Sequence, residues 1–320
     1  MPNLFCILFA AAATVLSTAA HAQGYPNKPI TIITTFGPGS ASDTITRVVA
    51  QPLGAALKQS VIVEARTGAN GALAALYVAR QPADGYTLLM TTNSAHSAAP
   101  FLSKNVSYDP VKDFSAISRL GSFTLMLVIH PDIPVKNVKE LVAYAKANPG
   151  KLSFASGNTA GVVGGETLKH FAELDILHVP YKSTPPALTD VMAGRVSMMF
   201  ADLTTGLPQV QAGKLRALAV SRIKRSTLIP DLPTMDEAGV TGFDMDTWAG
   251  FVAPANTPPE IVTLLNKTMR PIIDSPEVRA TLGKVGFEGF SSSPEELGDY
   301  IKVQLVQWGK MIKDAGIQPE

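Results

Sequence analysis

The sequence predicts an α/β protein of two domains built on mostly parallel sheets. Three observations carry this expectation. Between residues 30 and 94, apolar β-branched runs alternate with runs of helical period, the order of a βαβαβ unit with parallel strands and right-handed crossovers. From Leu152 the same design begins again: strand, glycine-rich loop, helix. The chain has 320 residues, 46% hydrophobic and 17% charged, enough for about two domains at roughly 100–200 residues each.

Taken in order, Ile30-Thr31-Ile32-Ile33 has the pattern of a strand covered on both faces. Ile45, Val48, Val49, Pro52, Leu53 and Leu57 then recur at helical spacing, so a helix is expected over about 42–57. A strand over 61–64, a helix over 72–80 and a strand over 86–91 complete the first unit. The loops after its strands, 36–42, 65–71 and 92–98, are rich in Gly, Ser, Asn and Thr. Ligands of such sheets bind beyond the carboxyl ends of the strands. Residues 123–129 read as a strand and 138–147 as a helix closed by Asn148-Pro149-Gly150. The second unit runs from the strand Leu152-Ser153-Phe154-Ala155 through the loop 156–161 to a helix ending near Phe171. Strands at 176–179, 196–200 and 215–221 alternate with helices at 187–193 and 207–212. Residues 230–245 are rich in loop formers, 248–253 read as a strand, and 259–273, 276–282 and 294–315 read as amphipathic helices.

Net charge is +1, with no Lys or Arg run long enough to follow a phosphate backbone, so no nucleic-acid partner is expected. Residues 1–27 hold no Asp, Glu, Lys or Arg, and an apolar stretch ends at Ala20-His21-Ala22. This reads as a secretory signal cleaved after Ala22, although the basic start of such signals is missing. A retained anchor is the alternative, but its apolar core is short and Ala-rich. The single cysteine, Cys6, lies inside this segment. Export therefore leaves a mature chain without thiols, which removes Cys nucleophiles, Cys metal sites and disulfides together.

The segment Thr34-Thr35-Phe36-Gly37-Pro38-Gly39-Ser40-Ala41-Ser42-Asp43 joins a strand to a helix through residues that expose backbone N–H groups. Ser40, Ser42 or Asp43 can cap that helix, and its first N–H groups carry partial positive charge. A carboxylate or phosphate is the natural occupant. The glycines partly match G-x-G-x-x-G, and Glu64 stands near where a ribose-binding acid would sit. Pro38 inside the tight turn and Ser42 in place of the third glycine weigh against a dinucleotide. A turn with no ligand is the plain alternative. Asp43 caps the helix, holds a water or meets an amino group on the ligand, and Asp202 carries the same ambiguity. Ser156-Gly157-Asn158-Thr159-Ala160-Gly161 is the natural second anion clamp. Asn93, after the third strand, and Tyr181 complete the candidate set, and Lys182 either neutralises an anion or is solvated.

The mature histidines, His96, His130, His170 and His178, lack metal-ligand spacing and read as surface or structural residues. No G-x-S-x-G elbow and no P-loop occurs. No catalytic residue and no cofactor is therefore expected.

A whole set of ordered segments resembles one family. These are Tyr25-Pro26-Asn27-Lys28-Pro29-Ile30, Phe36-Gly37-Pro38-Gly39 through Asp43, Pro82-Ala83-Asp84-Gly85-Tyr86-Thr87-Leu88-Leu89 and Tyr108-Asp109-Pro110-Val111-Lys112-Asp113-Phe114. His178-Val179-Pro180-Tyr181-Lys182, Gly213-Lys214-Leu215-Arg216-Ala217-Leu218-Ala219 and Trp248-Ala249-Gly250-Phe251-Val252-Ala253-Pro254 follow. Across essentially the whole mature chain they resemble the exported solute-binding receptors of tripartite tricarboxylate transporters, the TctC or Bug-type proteins. The resemblance implies a type II periplasmic-binding-protein fold, two α/β domains around a central cleft. Residues 23–125 with 248–320 would form one domain and 126–247 the other, with crossings near 123–129 and 246–253. It implies a periplasmic monomer that grips a small carboxylate with the loops at Phe36 to Asp43 and Ser156 to Gly161 and the region of Asp202. The carboxylate would then pass to membrane permease subunits met transiently. Thr35 stands where the family often has Pro and Ser40 where it often has Gly, and the second loop lacks a His common near position 162. An exported enzyme using Asp43 or Asp202 as acid or base, and a sensor presenting its closed form to a signalling partner, are the alternatives.

Overall fold

Residues 24–181 and 183–319 are described by the computed structural model. The expected signal segment with Cys6, and Lys182, lie outside them. The first unit is β1 (Ile30–Thr34), α1 (Ala41–Leu57), β2 (Val61–Ala65), α2 (Ala72–Ala79) and β3 (Thr87–Thr92). β1 pairs in parallel with β2 and with β3. Its side chains divide at the strand period of two. Ile30 and Ile32 enter one apolar cluster with Ile45, Val49 and Leu53 of α1, and Ile33 enters another with Ala74, Ala75 and Val78 of α2. Helices thus cover both faces, which is why β1 is apolar almost throughout while edge strand β2 alternates.

After β3 a π-helical turn, Ser94–Ala98, leads into α3 (Ala99–Leu102) and then β4 (Phe114–Phe123). β4 is absent from the sequence expectation. Its pairing with β10 (Thr247–Pro254) carries two register shifts, and such irregularities break the alternation by which a strand is recognised. The expected strand over 123–129 is also divided: β4 ends at Phe123, Thr124 intervenes, and β5 (Leu125–Ile129) belongs to a second sheet.

The second unit holds α4 (Val138–Ala147), β6 (Ser153–Ser156), α5 (Thr159–Phe171), β7 (Leu177–Pro180), α6 (Thr184–Met192), β8 (Met198–Asp202), α7 (Leu203–Gln211) and β9 (Arg216–Val220). α6 starts earlier than expected because Pro185 and Pro186 occupy its first turn, where a missing N–H costs nothing. After β10 come α8 (Pro259–Ile273), α9 (Pro276–Lys284), β11 (Phe287–Gly289) and α10 (Pro294–Asp314). Ser293 and Glu296 start α10 with a reciprocal capping box.

The strand orders are β11-β4-β10-β3-β1-β2 and β7-β6-β8-β5-β9. Only β10 and β11 run against the other strands of the first sheet, and only β5 against those of the second. Both sheets are therefore mostly parallel, as expected. The chain passes between them at two adjacent places. Thr247 donates its hydroxyl to the Phe123 carbonyl at 2.9 Å, tying the second passage to the first. α10 spans both sheets: Leu297 and Ile301 pack on the first, Trp308, Met311 and Ile312 on the second. Its 21 residues reach about 30 Å, enough to do so. No helix among the described residues is long and apolar enough to cross a membrane.

Candidate functional site

β1 delivers the chain into the loop Phe36 to Ser40, half-buried at Phe36, Gly37 and Ser40 and exposed at Pro38 and Gly39. Gly39 has φ +77°, a conformation glycine adopts without a Cβ penalty. Ser40 is the N-cap of α1, its hydroxyl accepting the Asp43 N–H at 3.2 Å. Asp43 is 4% exposed, and its carboxylate is already occupied. It accepts the Gly39 N–H at 3.0 Å and a bifurcated hydrogen bond from the single N–H of Arg47 Nε, with an ion pair to Arg47 Nη2 at 2.9 Å. The Arg47 hydrogen bond holds the Asp43 carboxyl below the usual range. The N–H groups of Ala41 and Ser42 keep no protein acceptor among the described residues.

Two further loops close around this one. A Cβ on Gly71 would lie 2.9 Å from Thr35 Cβ and 3.3 Å from Ala95 Cβ, and one on Gly37 would lie 3.6 Å from Thr67. The ends of β1, β2 and β3 therefore meet. Ala69 and Asn70, with φ of +46° and +53°, are held in a left-handed conformation that non-glycine residues rarely adopt and that clusters at functional sites. Buried hydroxyls at Thr35 and Thr92 have no partner among the described residues. Asn93 is buried at the start of the π-helical turn, a distortion common at functional sites.

In the second sheet, β6 ends at Ser156 and Asn158 caps α5, accepting the Gly161 N–H at 2.8 Å. Thr159 and Ala160 keep free N–H groups among the described residues. A Cβ on Gly157 would sit 2.3 Å from the Ser183 carbonyl carbon, so only glycine permits that approach. Gly161 lets Ser156 lie under the first turn of α5, where a Cβ would come 3.3 Å from Ser156 Cβ. Ala160 and Phe101 pack on the large apolar cluster to which Ala98 belongs, and α5 approaches the π-helical turn that follows Asn93.

Tyr181 is not free to serve a ligand through its hydroxyl, which donates to Asp190 at 2.6 Å. That hydrogen bond pushes its phenol up. Asp202 ends β8 opposite Leu125, the first residue past the passage between sheets. Its side chain makes no capping bond to α7, and burial pushes its carboxyl up. No Lys or Arg occurs in 36–41, 93–98 or 156–161, and Arg66 of the 65–71 loop lies over the Tyr77 ring, so what the first three loops offer an anion is N–H dipoles.

Grooves elsewhere, of about 630 Å³ along α5 and α10 near Glu166 and Asp314 and about 800 Å³ along α10 near Phe101 and Val306, lack these features. The strand-end loops of the first sheet, by contrast, combine a free helix N-terminus with the orphaned hydroxyls of Thr35 and Thr92.

The family model described as tripartite tricarboxylate transporter family receptor, TctC, matches residues 45–317. The chain belongs to that family. A Pseudomonas sp. (strain P51) relative, the UPF0065 protein in the tcbD-tcbE intergenic region, is 34% identical over 307 residues, 95% of this chain and 91% of its own. Among solved structures, R. palustris Rpa4515 with adipate is 33% identical with a TM-score of 0.80, over 93% of this chain and 100% of that one. MatC (Rpa3494) from Rhodopseudomonas palustris with bound malate is 28% identical with a TM-score of 0.75, over 90% and 100%.

Sequence reasoning missed three parts of this TctC-family receptor. Ser156 Oγ lies 2.7 Å from His178 Nε2, although His178 belongs to a segment that carried the resemblance. Asp246, between the sheets, accepts from Arg119 at 3.0 Å, Ser122 at 3.0 Å and Tyr300 at 2.6 Å. Glu288 of β11 accepts from Thr124, Ser226, Thr227 and Arg222, the last at 2.7 Å. These partners lie up to 164 residues apart. No local pattern in the sequence marks such a cluster, because its members are joined by packing rather than by spacing along the chain.

Proposed function

We propose that this TctC-family receptor captures a small organic carboxylate in the periplasm, as a monomer, and delivers it to membrane permease subunits. Two lobes, 23–125 with 248–320 and 126–247, close on the acid by hinging at the passages beside Thr124 and Asp246. Removal of a signal through Ala22 would release the mature chain. The observation that carries the reading is the pair of capped helix N-termini. α1 behind Ser40 and α5 behind Asn158 each hold free N–H groups at a strand-end loop, the arrangement that binds an anion without a countercharge. The adipate- and malate-bound relatives support a carboxylate as occupant. Closure shifts the population only as far as the acid contacts both lobes, and water lost from the cleft strengthens those contacts.

A thermal-shift panel of mono-, di- and tricarboxylates tests this. An acid at 100 times its dissociation constant adds about 2.7 kcal/mol of stability. A panel in which no acid raises the unfolding temperature sinks the reading.

A further inference from the structure

Ser156, His178 and Glu166 stand in the order of a nucleophile, base and orienting acid. The geometry does not support hydrolysis. His178 Nδ1 is 3.9 Å from Glu166 Oε1, too far for the hydrogen bond that would fix the ring for general-base work. The same three residues fit a different task.

His178, on β7, stacks on Phe154 of β6 at 4.6 Å and 8°, which fixes its plane and aims Nε2 at Ser156. Ser156 in turn lies beneath the first turn of α5, the turn whose N–H groups face the proposed carboxylate. A hydroxyl has one proton. If Ser156 donates it to His178 Nε2, its oxygen presents lone pairs to an arriving anion. If His178 Nε2 carries the proton, Ser156 accepts there and its own O–H is free to turn toward the anion. A protonated imidazole enforces the second arrangement and adds a positive charge beneath the clamp.

We infer that His178 is the positioning residue of the second clamp, and that capture of a carboxylate is coupled to uptake of one solvent proton by its ring. This rests on the carboxylate reading above. The proton ends on the imidazole, with Nε2–H donated to Ser156 Oγ and Nδ1–H facing Glu166; no bond to the ligand is made or broken.

Among the described residues the charged groups facing His178 are Glu166 and Lys169, both on α5, and β6 presents Phe154 and Ser156, which carry none. Burial holds the free ring below the usual imidazole value, Glu166 opposes that and Lys169 reinforces it. The free receptor is therefore neutral at His178 above about pH 6.5, and a bound anion raises the ring. Affinity then strengthens as the pH falls, by up to about tenfold per pH unit for one coupled proton.

Calorimetry with adipate and malate between pH 5 and 8, in buffers of different ionisation enthalpy, reads this directly. The expected result is a binding enthalpy that varies with buffer, proton uptake approaching one, and tighter binding at low pH. His178→Gln, neutral throughout, flattens the slope, and Glu166→Gln moves it to lower pH. A slope unchanged in His178→Gln assigns the proton to Asp202 or to the ligand and overturns the inference. So does a buffer-independent enthalpy for an acid that binds. If neither acid binds at any pH, the carboxylate reading itself falls and this coupling falls with it.

Discussion

The carboxylate of Asp43 accepts the backbone N–H of Gly39 at 3.0 Å. The acid that stands in the first turn of α1 is thereby folded back onto its own loop, with Arg47 on its other side. It neither repels a bound carboxylate with a free charge nor offers one to a ligand amine. It also takes one of the N–H groups that the loop composition had assigned to the anion, so free donors begin at Ala41.

Asp43→Ala removes the acceptor of Gly39 and the partner of Arg47. The expected loss is about 1–2 kcal/mol, the scale of a helix-cap deletion, read by urea unfolding. Asp43→Asn keeps an acceptor for Gly39 and should lose less. Gly39→Pro is a poor probe of binding alone, because proline demands φ near −65° where Gly39 has +77°, and it deletes the donated N–H.

With Asp43 occupied, an amino group on the ligand gains nothing there. Succinate and aspartate should bind with dissociation constants within about threefold, a difference under about 1 kcal/mol. A large preference for aspartate in calorimetry would mean that Asp43 leaves Gly39 and Arg47 when ligand arrives.

Glu288 joins β11 of the first sheet to the 222–227 segment that follows the second. Arg222 and Glu288 are both nearly buried, 12% and 8% exposed at their side chains, so removing one partner strands the other. Glu288→Ala is expected to cost about 3–5 kcal/mol, measured by chemical denaturation. A cost below about 1 kcal/mol would show that the pair is solvated and no strut between the sheets.

His96 is fully buried, with Nδ1 2.7 Å from the Thr91 hydroxyl, and burial pushes it down to about 3. The unfolded ring titrates near 6.5. Between these values the unfolded state binds more protons, so stability falls as the pH drops below about 6.5. The slope approaches about 1.4 kcal/mol per pH unit. Thermal unfolding between pH 6.5 and 5, above the ordinary carboxylate range, should show this slope, and His96→Gln should lessen it.

Much of the fold is legible in the residues themselves. The β-branched run at Ile30 to Ile33 and the helical spacing of Ile45, Val49 and Leu53 predict β1 and α1, because periodic burial writes itself into local sequence. β4 is not legible, since its register shifts spoil the alternation. Ser40 is legible as a cap, one of three residues the sequence offers for α1, because capping is a contact over three residues. The hydrogen bond of Tyr181 is not legible for the opposite reason: its position after a strand is local, but its partner Asp190 is chosen by how α6 packs.

The sequence by itself determined the α/β alternation, the two strand-loop-helix units and the family they resemble. Each of these is carried by neighbours along the chain. Only the tertiary structure decided that Asp43 serves the loop, that Glu288 reaches Arg222 across the sheets, and that His178 meets Ser156 at the end of β6. Those relations join side chains brought together by packing, and a hydrogen bond between distant segments leaves no period in the sequence to be read.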